Sequence, residues 1–258
     1  MREYNTTAMN NLYSSLSAIY EAMYQSFINY EDEYNFYSAI LLKHHCNAVL
    51  EIGCGTGNLA SRFIDGGFTY TGIDLSDDML NIAEKNNPQY SFIKADMRDF
   101  KLKLKVSSAI ITGRTISYLI TNKDVYDAFI SINKNLTTNG IICFDCIDAN
   151  KFIPLIKDGE KIVHKATVNN KKFHRDSFWK VNFSQSWAFD WLSVYYQEED
   201  NGNLVKIGED NSTIRAFSKD EIGLLLQLTG FTVKEIIDRP SYAFDTFVVV
   251  AKKIKEAV

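Results

Sequence analysis

The run Ala48-Val49-Leu50-Glu51-Ile52-Gly53-Cys54-Gly55-Thr56-Gly57 decides the fold. Its first five residues form a short apolar run, Ala48–Ile52, that reads as a buried strand. Asn58–Ile64 beyond it reads as a short helix closed by Gly66-Gly67. Glycines between a strand and a helix let the backbone approach a ligand closely, and helix N–H groups favour an anionic group there. An ordinary glycine-rich turn is one alternative, and a nicotinamide-type G-x-G-x-x-G loop is another. The latter fails on register, because the third glycine falls at Gly57 and position 58 is asparagine. The loop alone therefore favours a nucleoside ligand.

Outward from this loop the chain alternates short apolar runs with helical patterns. Strands are expected at Thr69–Asp74, Tyr90–Ala95, Ser107–Thr112 and Gly140–Cys146. Helices are expected at Asp77–Lys85, with Ser76 as N-cap, and at Asp124–Leu136. Late in the chain, Ser218 with Glu221 makes a capping box for a helix over Ser218–Thr229, ended by Gly230. Phe231–Ile237 and Thr246–Ala251 read as two strands joined by the Arg239-Pro240-Ser241 turn. Strand–helix alternation needs crossover connections, hence an α/β fold with a mostly parallel, Rossmann-like, seven-stranded sheet covered on both faces. The closing hairpin makes the last strand antiparallel.

Two regions depart from that grammar. Leu12, Leu16, Ile19, Met23 and Phe27 recur at helical spacing, and a second helical segment runs from Glu33 to Leu42; residues 1–44 are read as an N-terminal helical cap. Residues 159–216 are read as an antiparallel, aromatic-rich insert. There Trp187, Phe189 and Trp191 alternate with Ser186, Ala188 and Asp190, and Trp179, Val181 and Phe183 do the same one segment earlier. That is the period of a half-buried strand. Asn201-Gly202 supplies a tight hairpin turn. Residues 45–158 and 217–258 then form the main domain.

Composition narrows the function classes. The 258 residues hold 46% apolar and 23% charged side chains, ordinary for a globular chain. No run of uncharged apolar residues is long enough to span a membrane, and the opening MREYNTTAMNNLYSS lacks the pattern of a secretion signal. Four cysteines fit a reducing cytoplasm; Cys143 and Cys146 form a C-x-x-C inside the apolar run IICFDCI and read as small buried strand residues rather than metal ligands. A formal charge of −4 leaves no electrostatic footprint for nucleic acid. The basic runs KLKLK (101–105) and KKFHR (171–175) read as solvated edges or loops.

Two further motifs join the glycine loop. Asp74 ends the second strand, 17 residues past Gly57, where a carboxylate can accept hydrogen bonds from both hydroxyls of a ribose. Lys94-Ala95-Asp96-Met97-Arg98-Asp99-Phe100 ends the third, where an Asp side chain and the next backbone N–H can read an adenine edge. On these motifs the chain resembles the class I S-adenosylmethionine-dependent methyltransferases over about residues 45–150. RAFSKDEIGLLLQLTGF (215–231) is similar to the late helix of that family. ADMRDF (95–100) and ITGRTISYL (111–119) resemble the branch that contains the amino-sugar N-methyltransferases. At 113–117, Gly-Arg-Thr-Ile-Ser departs from that branch.

The resemblance implies S-adenosyl-L-methionine as cofactor and methyl transfer to a small-molecule acceptor, most simply N-methylation of an amine. Gly53, Gly55 and Gly57 would pass under the methionine portion, with Glu51, Cys54 and Met79 in the same cofactor set. Asp74 would hold the ribose, Leu75 would pack on adenine, and Asp96 with Met97 would read the adenine edge. Gly113 and Arg114 would lie beside the acceptor. Tyr20 and Tyr24, four apart on one helix face, would close over the cofactor or simply pack. Candidates near the reacting end are Arg114, Tyr118 and His174. Arg114 suits a carboxylate held by two prongs. The insert is expected to supply the acceptor side of the pocket, with His174 and Arg175 reaching it. O-methylation of a small carboxylate or hydroxyl, or a cofactor-binding protein without turnover, are the alternatives. A nicotinamide oxidoreductase is disfavoured by the glycine register and the lack of a recognisable Tyr-x-x-x-Lys pair. Neither nucleic acid nor membrane is expected as partner, no metal is required, and a homodimer is left open.

Overall fold

The computed structural model describes residues 28–168, 170–184, 187–241 and 244–257. Tyr20, Tyr24 and the helical pattern up to Phe27 lie outside the described residues. Helix α1 (Tyr30–Lys43) starts three residues before the expected Glu33. Asn29 caps it, its side chain accepting from the N–H groups of Glu31 and Asp32, and three acids fill the first turn. Both effects favour an earlier start.

Seven strands form the main sheet: β1 (Ala48–Ile52), β2 (Thr69–Asp74), β3 (Phe92–Lys94), β4 (Val106–Ile111), β5 (Leu136–Ile147), β10 (Phe231–Asp238) and β11 (Thr246–Lys253). Their order is β10-β11-β5-β4-β1-β2-β3. Strands β1 to β5 pair in parallel, and β11 runs antiparallel to both β5 and β10. This is the expected Rossmann-like sheet with its last strand reversed. Strand order turns back between β1 and β4, so a crevice opens beyond their carboxyl ends.

Helices cover both faces. Helices α4 (Asn122–Asn135) and α6 (Lys219–Leu228) bury Val125, Phe129, Ile132, Ile222 and Leu226 against one face. Helices α1 and α2 (Ala60–Asp65) bury Tyr37, Leu41, Ala60 and Phe63 against the other. Helix α3 (Asp77–Asn86) is capped by Ser76, and α6 by Ser218. Cys143 belongs to one core and Cys146 to the other, so the two thiols lie on opposite faces of β5 and are both fully buried. Helix α2 begins two residues later than its apolar pattern, because Gly57–Leu59 is spent on turns. Among the described residues, no helix is long and apolar enough to cross a membrane.

After the short α5 (Ala149–Phe152), a separate antiparallel sheet follows: β6 (Lys161–Val168), β7 (Lys171–Asn182), β8 (Ala188–Glu198) and β9 (Leu204–Arg215), in that order. Asn201-Gly202 makes the β8–β9 turn, with Gly202 N–H donating to the Glu199 carbonyl at 2.8 Å. An apolar cluster of Phe152, Phe189, Trp191, Ile214 and Phe244 joins this sheet to the end of β5. Phe152 meets Phe244 at 4.8 Å and Phe189 at 5.1 Å between ring centroids, spacings typical of attractive aromatic pairs. The alternating pattern overreaches at both hairpin ends. Strand β7 stops at Asn182 and β8 starts at Ala188, so Phe183 and Trp187 belong to the turn. Phe183 is 94% exposed, and Trp187 sits in the left-handed region with φ of 57°.

Candidate active site

A cavity of about 930 Å³ opens where the parallel strands end. Its lining begins with Glu51 on β1 and the loop Gly53–Thr56. Gly53 has φ of +72°, and a Cβ there would stand 2.4 Å from the Thr115 methyl, so both backbone shape and space exclude a side chain. Gly55 N–H donates to Asp74 Oδ2 at 2.9 Å, and Ser76 N–H to Asp74 Oδ1 at 2.9 Å. The ribose candidate is thus fixed from two sides at the end of β2. Burial raises the Asp74 pKa, and the N–H groups of Ser76, Gly55 and Leu75 oppose that rise. Leu75 beside it is half exposed and lines the cavity.

Cys54 and Met79 line the same wall, both buried. Glu51 is 3% exposed; its Oε2 accepts from the Tyr70 hydroxyl at 2.5 Å and its Oε1 from the Thr112 hydroxyl at 3.4 Å. Burial pushes its pKa up to about 7, against the pull of those two donors. Gly57 is not a lining residue. A Cβ on it would meet Asn87 Nδ2 at 2.9 Å, so it serves the turn and its packing.

Asp96 and Met97 reach the cavity two and three residues past β3. Arg98 grips Asp96: its Nε lies 3.0 Å from Oδ1 and its Nη2 2.6 Å from Oδ2, while Nη1 reaches Asp124 at 2.9 Å. Sequence reasoning left Arg98 aside, yet it orients the Asp96 carboxylate.

Past β4, Gly113 and Arg114 are both left-handed, with φ of 64° and 63°. For arginine that conformation costs roughly 1–2 kcal/mol. What holds it is Asp145, whose Oδ1 accepts the Arg114 N–H at 2.8 Å. The Arg114 guanidinium donates to Ser241 Oγ at 3.0 Å and lies 5.1 Å from the Phe244 ring centroid. Tyr118 lines the cavity from a single 3-10 turn and packs on the Phe152 cluster.

His174 and Arg175 are not brought to this cavity. His174 is buried on β7 with Nε2 2.8 Å from Glu198 Oε2. Arg175 is 1% exposed and lies 5.5 Å from the Trp191 ring centroid. Both stand at the end of the insert that carries the 199–203 turn, because β7 pairs Lys172 with Glu198 and Asn182 with Ala188. The described insert residues that do line the cavity come from its other end: Asn182, Asp190, Asn211, Ser212 and Thr213.

Sequence reasoning also missed Asp145 and the α1 contribution. Asp145 is 8% exposed at the end of β5, and burial pushes its pKa up to about 6 against the Arg114 charge and N–H. An acid inside the apolar run IICFDCI was the available signal. Glu33 on α1 receives both Arg239 nitrogens, at 2.8 and 2.9 Å, and both residues line the cavity.

Comparison with known proteins agrees with this geometry. Residues 49–140 match the family model described as a methyltransferase domain. A Bacillus subtilis protein designated a methyltransferase is 32% identical over 114 residues, 43% of this chain and 46% of that one. The dTDP-3-amino-3,4,6-trideoxy-alpha-D-glucopyranose N,N-dimethyltransferase of Streptomyces venezuelae is 31% identical over 96 residues, 37% of this chain and 40% of that one. These matches span less than half the length of either relative. The fold is shared more widely. The S-adenosylmethionine-bound amino pentose methyltransferase of Micromonospora echinaspora superposes with a TM-score of 0.75 at 18% identity, covering 91% of this chain and 96% of that one. Residues 49–140 thus carry a methyltransferase domain on a Rossmann-like fold. The fold is that of the class I S-adenosylmethionine-dependent methyltransferases, and over part of its length the chain is similar to amino-sugar N,N-dimethyltransferases.

Proposed function

We propose that the protein transfers a methyl group from S-adenosylmethionine to the nitrogen of a small-molecule amine. One observation carries this reading. A single cavity joins the glycine loop and Asp74 at one end to the polar strand ends of the insert at the other. Gly53, Asp74, Leu75, Asp96 and Met97 would hold the cofactor, and the tethered carboxylate beside an exposed apolar side chain suits a nucleoside. Bound there, S-adenosylmethionine supplies a methyl group already activated on a sulfonium, so the protein's share is alignment and exclusion of water.

The chain's own groups suit a cationic acceptor. Among the described residues, seven carboxylates line the cavity against three guanidiniums: Asp32, Glu33, Glu51, Asp74, Asp96, Asp145 and Asp190 against Arg98, Arg114 and Arg239. An amine must shed a proton to expose its lone pair. Asp145, pushed up to about 6, is matched to take that proton near neutral pH. A carboxylate acceptor is less well served, because Arg114 is engaged by Ser241 and Phe244.

The test is incubation with methyl-labelled S-adenosylmethionine and a metabolite extract, with the Asp74→Ala variant as control. Label on a new nitrogen-bearing product supports the reading. Label on an oxygen replaces N- by O-methylation, and cofactor binding without any labelled product leaves a binding protein.

A further inference from the structure

We propose that Asp190 is the seat of the acceptor's ammonium group, and that the acceptor is a free amine rather than one linked to a nucleoside diphosphate. The proposal rests on the methyl-transfer reading of the same cavity. Its basis is the wall the insert builds.

Asp190 lies in the middle of three strands that meet at the cavity. Its Oδ1 accepts from Asn182 Nδ2 on β7 at 2.9 Å and from Thr213 Oγ1 on β9 at 2.6 Å. One oxygen is therefore fully used and the carboxylate is held in one orientation. Its Oδ2 makes no hydrogen bond to any described residue. Lys180, which faces Asp190 across the β7–β8 ladder, directs its Nζ to Asp158 at 3.7 Å instead. A cavity-lining carboxylate pinned through one oxygen by two neutral donors matches an N–H donor that carries charge.

The same wall argues against phosphate. Side-chain recognition of a diphosphate commonly uses arginine forks or lysine charges. Asn182, Asp190, Asn211, Ser212 and Thr213 offer none, and no lysine lines the cavity among the described residues. Among the described residues, the three lining arginines are each committed. Arg98 bridges Asp96 and Asp124, Arg239 forks onto Glu33, and Arg114 meets Ser241 and Phe244. A diphosphate would add two or more negative charges to a cavity already dominated by carboxylates. The amides and hydroxyls around Asp190 suit hydroxyl groups on the amine.

Binding in the presence of S-adenosylhomocysteine tests this by calorimetry. The probes are a free hexosamine, ethanolamine and putrescine, the parent hexose as neutral control, and a uridine-diphosphate-linked hexosamine. The expected result is that a free amine binds the wild type more tightly than the hexose and the nucleotide-linked amine. Asp190→Asn should weaken that amine about tenfold or more, the loss of a charged hydrogen bond, while affinity for S-adenosylhomocysteine holds. Thr213→Val removes one of the two donors that orient Asp190 and keeps the charge, so it should weaken the amine less than Asp190→Asn does. Tighter binding of the nucleotide-linked amine overturns the proposal. So does a wild type that takes none of the amines, an undiminished affinity in Asp190→Asn, or an equal loss in Thr213→Val. Failure of the wild type to bind S-adenosylhomocysteine would instead sink the methyl-transfer reading, which keeps the two failures apart.

Discussion

In the seven-stranded sheet, Gly53, Asp74, Asp96 and Arg114 reach the cavity at or just past the carboxyl ends of β1, β2, β3 and β4. In the insert, Asn182, Asp190 and Thr213 reach it from three neighbouring strands that meet side by side. The first arrangement is written locally: a strand, then the functional residue. The second depends on cross-strand register, in which Asn182 and Thr213 both find Asp190 although 8 and 23 residues separate them from it. Parallel strands that end together make a site out of sequence order. An antiparallel sheet makes one out of pairing.

If the insert is a docked wall rather than a pendant, its anchor is Phe189, fully buried among Phe152, Trp179 and Phe244. Phe189→Ala should lower unfolding free energy by about 3–5 kcal/mol, the usual range for a buried phenylalanine. Denaturant melts followed by Trp fluorescence would check it. A loss under 1 kcal/mol would show that the two sheets do not share a core.

That anchor also marks where the sequence stopped being legible. The seven strands along the chain, the reversed last strand and the glycine loop between β1 and α2 could all be read, since each is signalled within a few residues by apolar periodicity, a turn or a capping residue. His174 and Arg175 were sensible choices on residue type, but register carried them to the far end of β7 and gave His174 to Glu198. Asp190 had appeared only as the polar half of an alternation. Asp145 stood out as an acid in the apolar run IICFDCI, but what it does shows only once Arg114 is known to adopt a left-handed turn beside it.

The sheet side can be probed through Glu51, whose pKa is 4.5 ordinarily and about 7 when folded. A carboxyl raised on folding binds more protons folded than unfolded across that window. Its stabilising contribution is full below about pH 4.5 and is lost as pH rises through about 7. Glu51→Gln should remove this dependence. The difference in stability between wild type and variant should tilt toward the variant by at most about 3 kcal/mol from pH 4.5 to 8. A difference that stays flat with pH would show that Tyr70 and Thr112 hold Glu51 ionised throughout.

Asp74→Ala addresses ligand binding rather than folding. Loss of a charged acceptor for the ribose should weaken S-adenosylhomocysteine by about 1.5–3 kcal/mol, roughly 10- to 150-fold. The same variant should leave acceptor probes at the insert wall untouched. Calorimetry showing equal cofactor affinity would remove Asp74 from the site and break the division of labour between the two walls.

The smallest expected effect is at Phe183. The alternation Trp179, Val181, Phe183 places all three on one face, yet β7 ends at Asn182 and Phe183 turns out into the hairpin, 94% exposed. Burial, not residue type, sets the contribution of an aromatic ring, and surface substitutions away from packed features fall within about 0.5 kcal/mol. Phe183→Ser should therefore leave the melting transition where it is, while Phe189→Ala six residues further along shifts it strongly. A loss of 2 kcal/mol or more at Phe183 would mean that the ring is covered in solution. If that loss faded on dilution, the cover would be a second copy of the chain pairing through the hairpin. If it did not, the period-2 reading would extend past the strand end, and the insert would follow the same local rule as the parallel sheet.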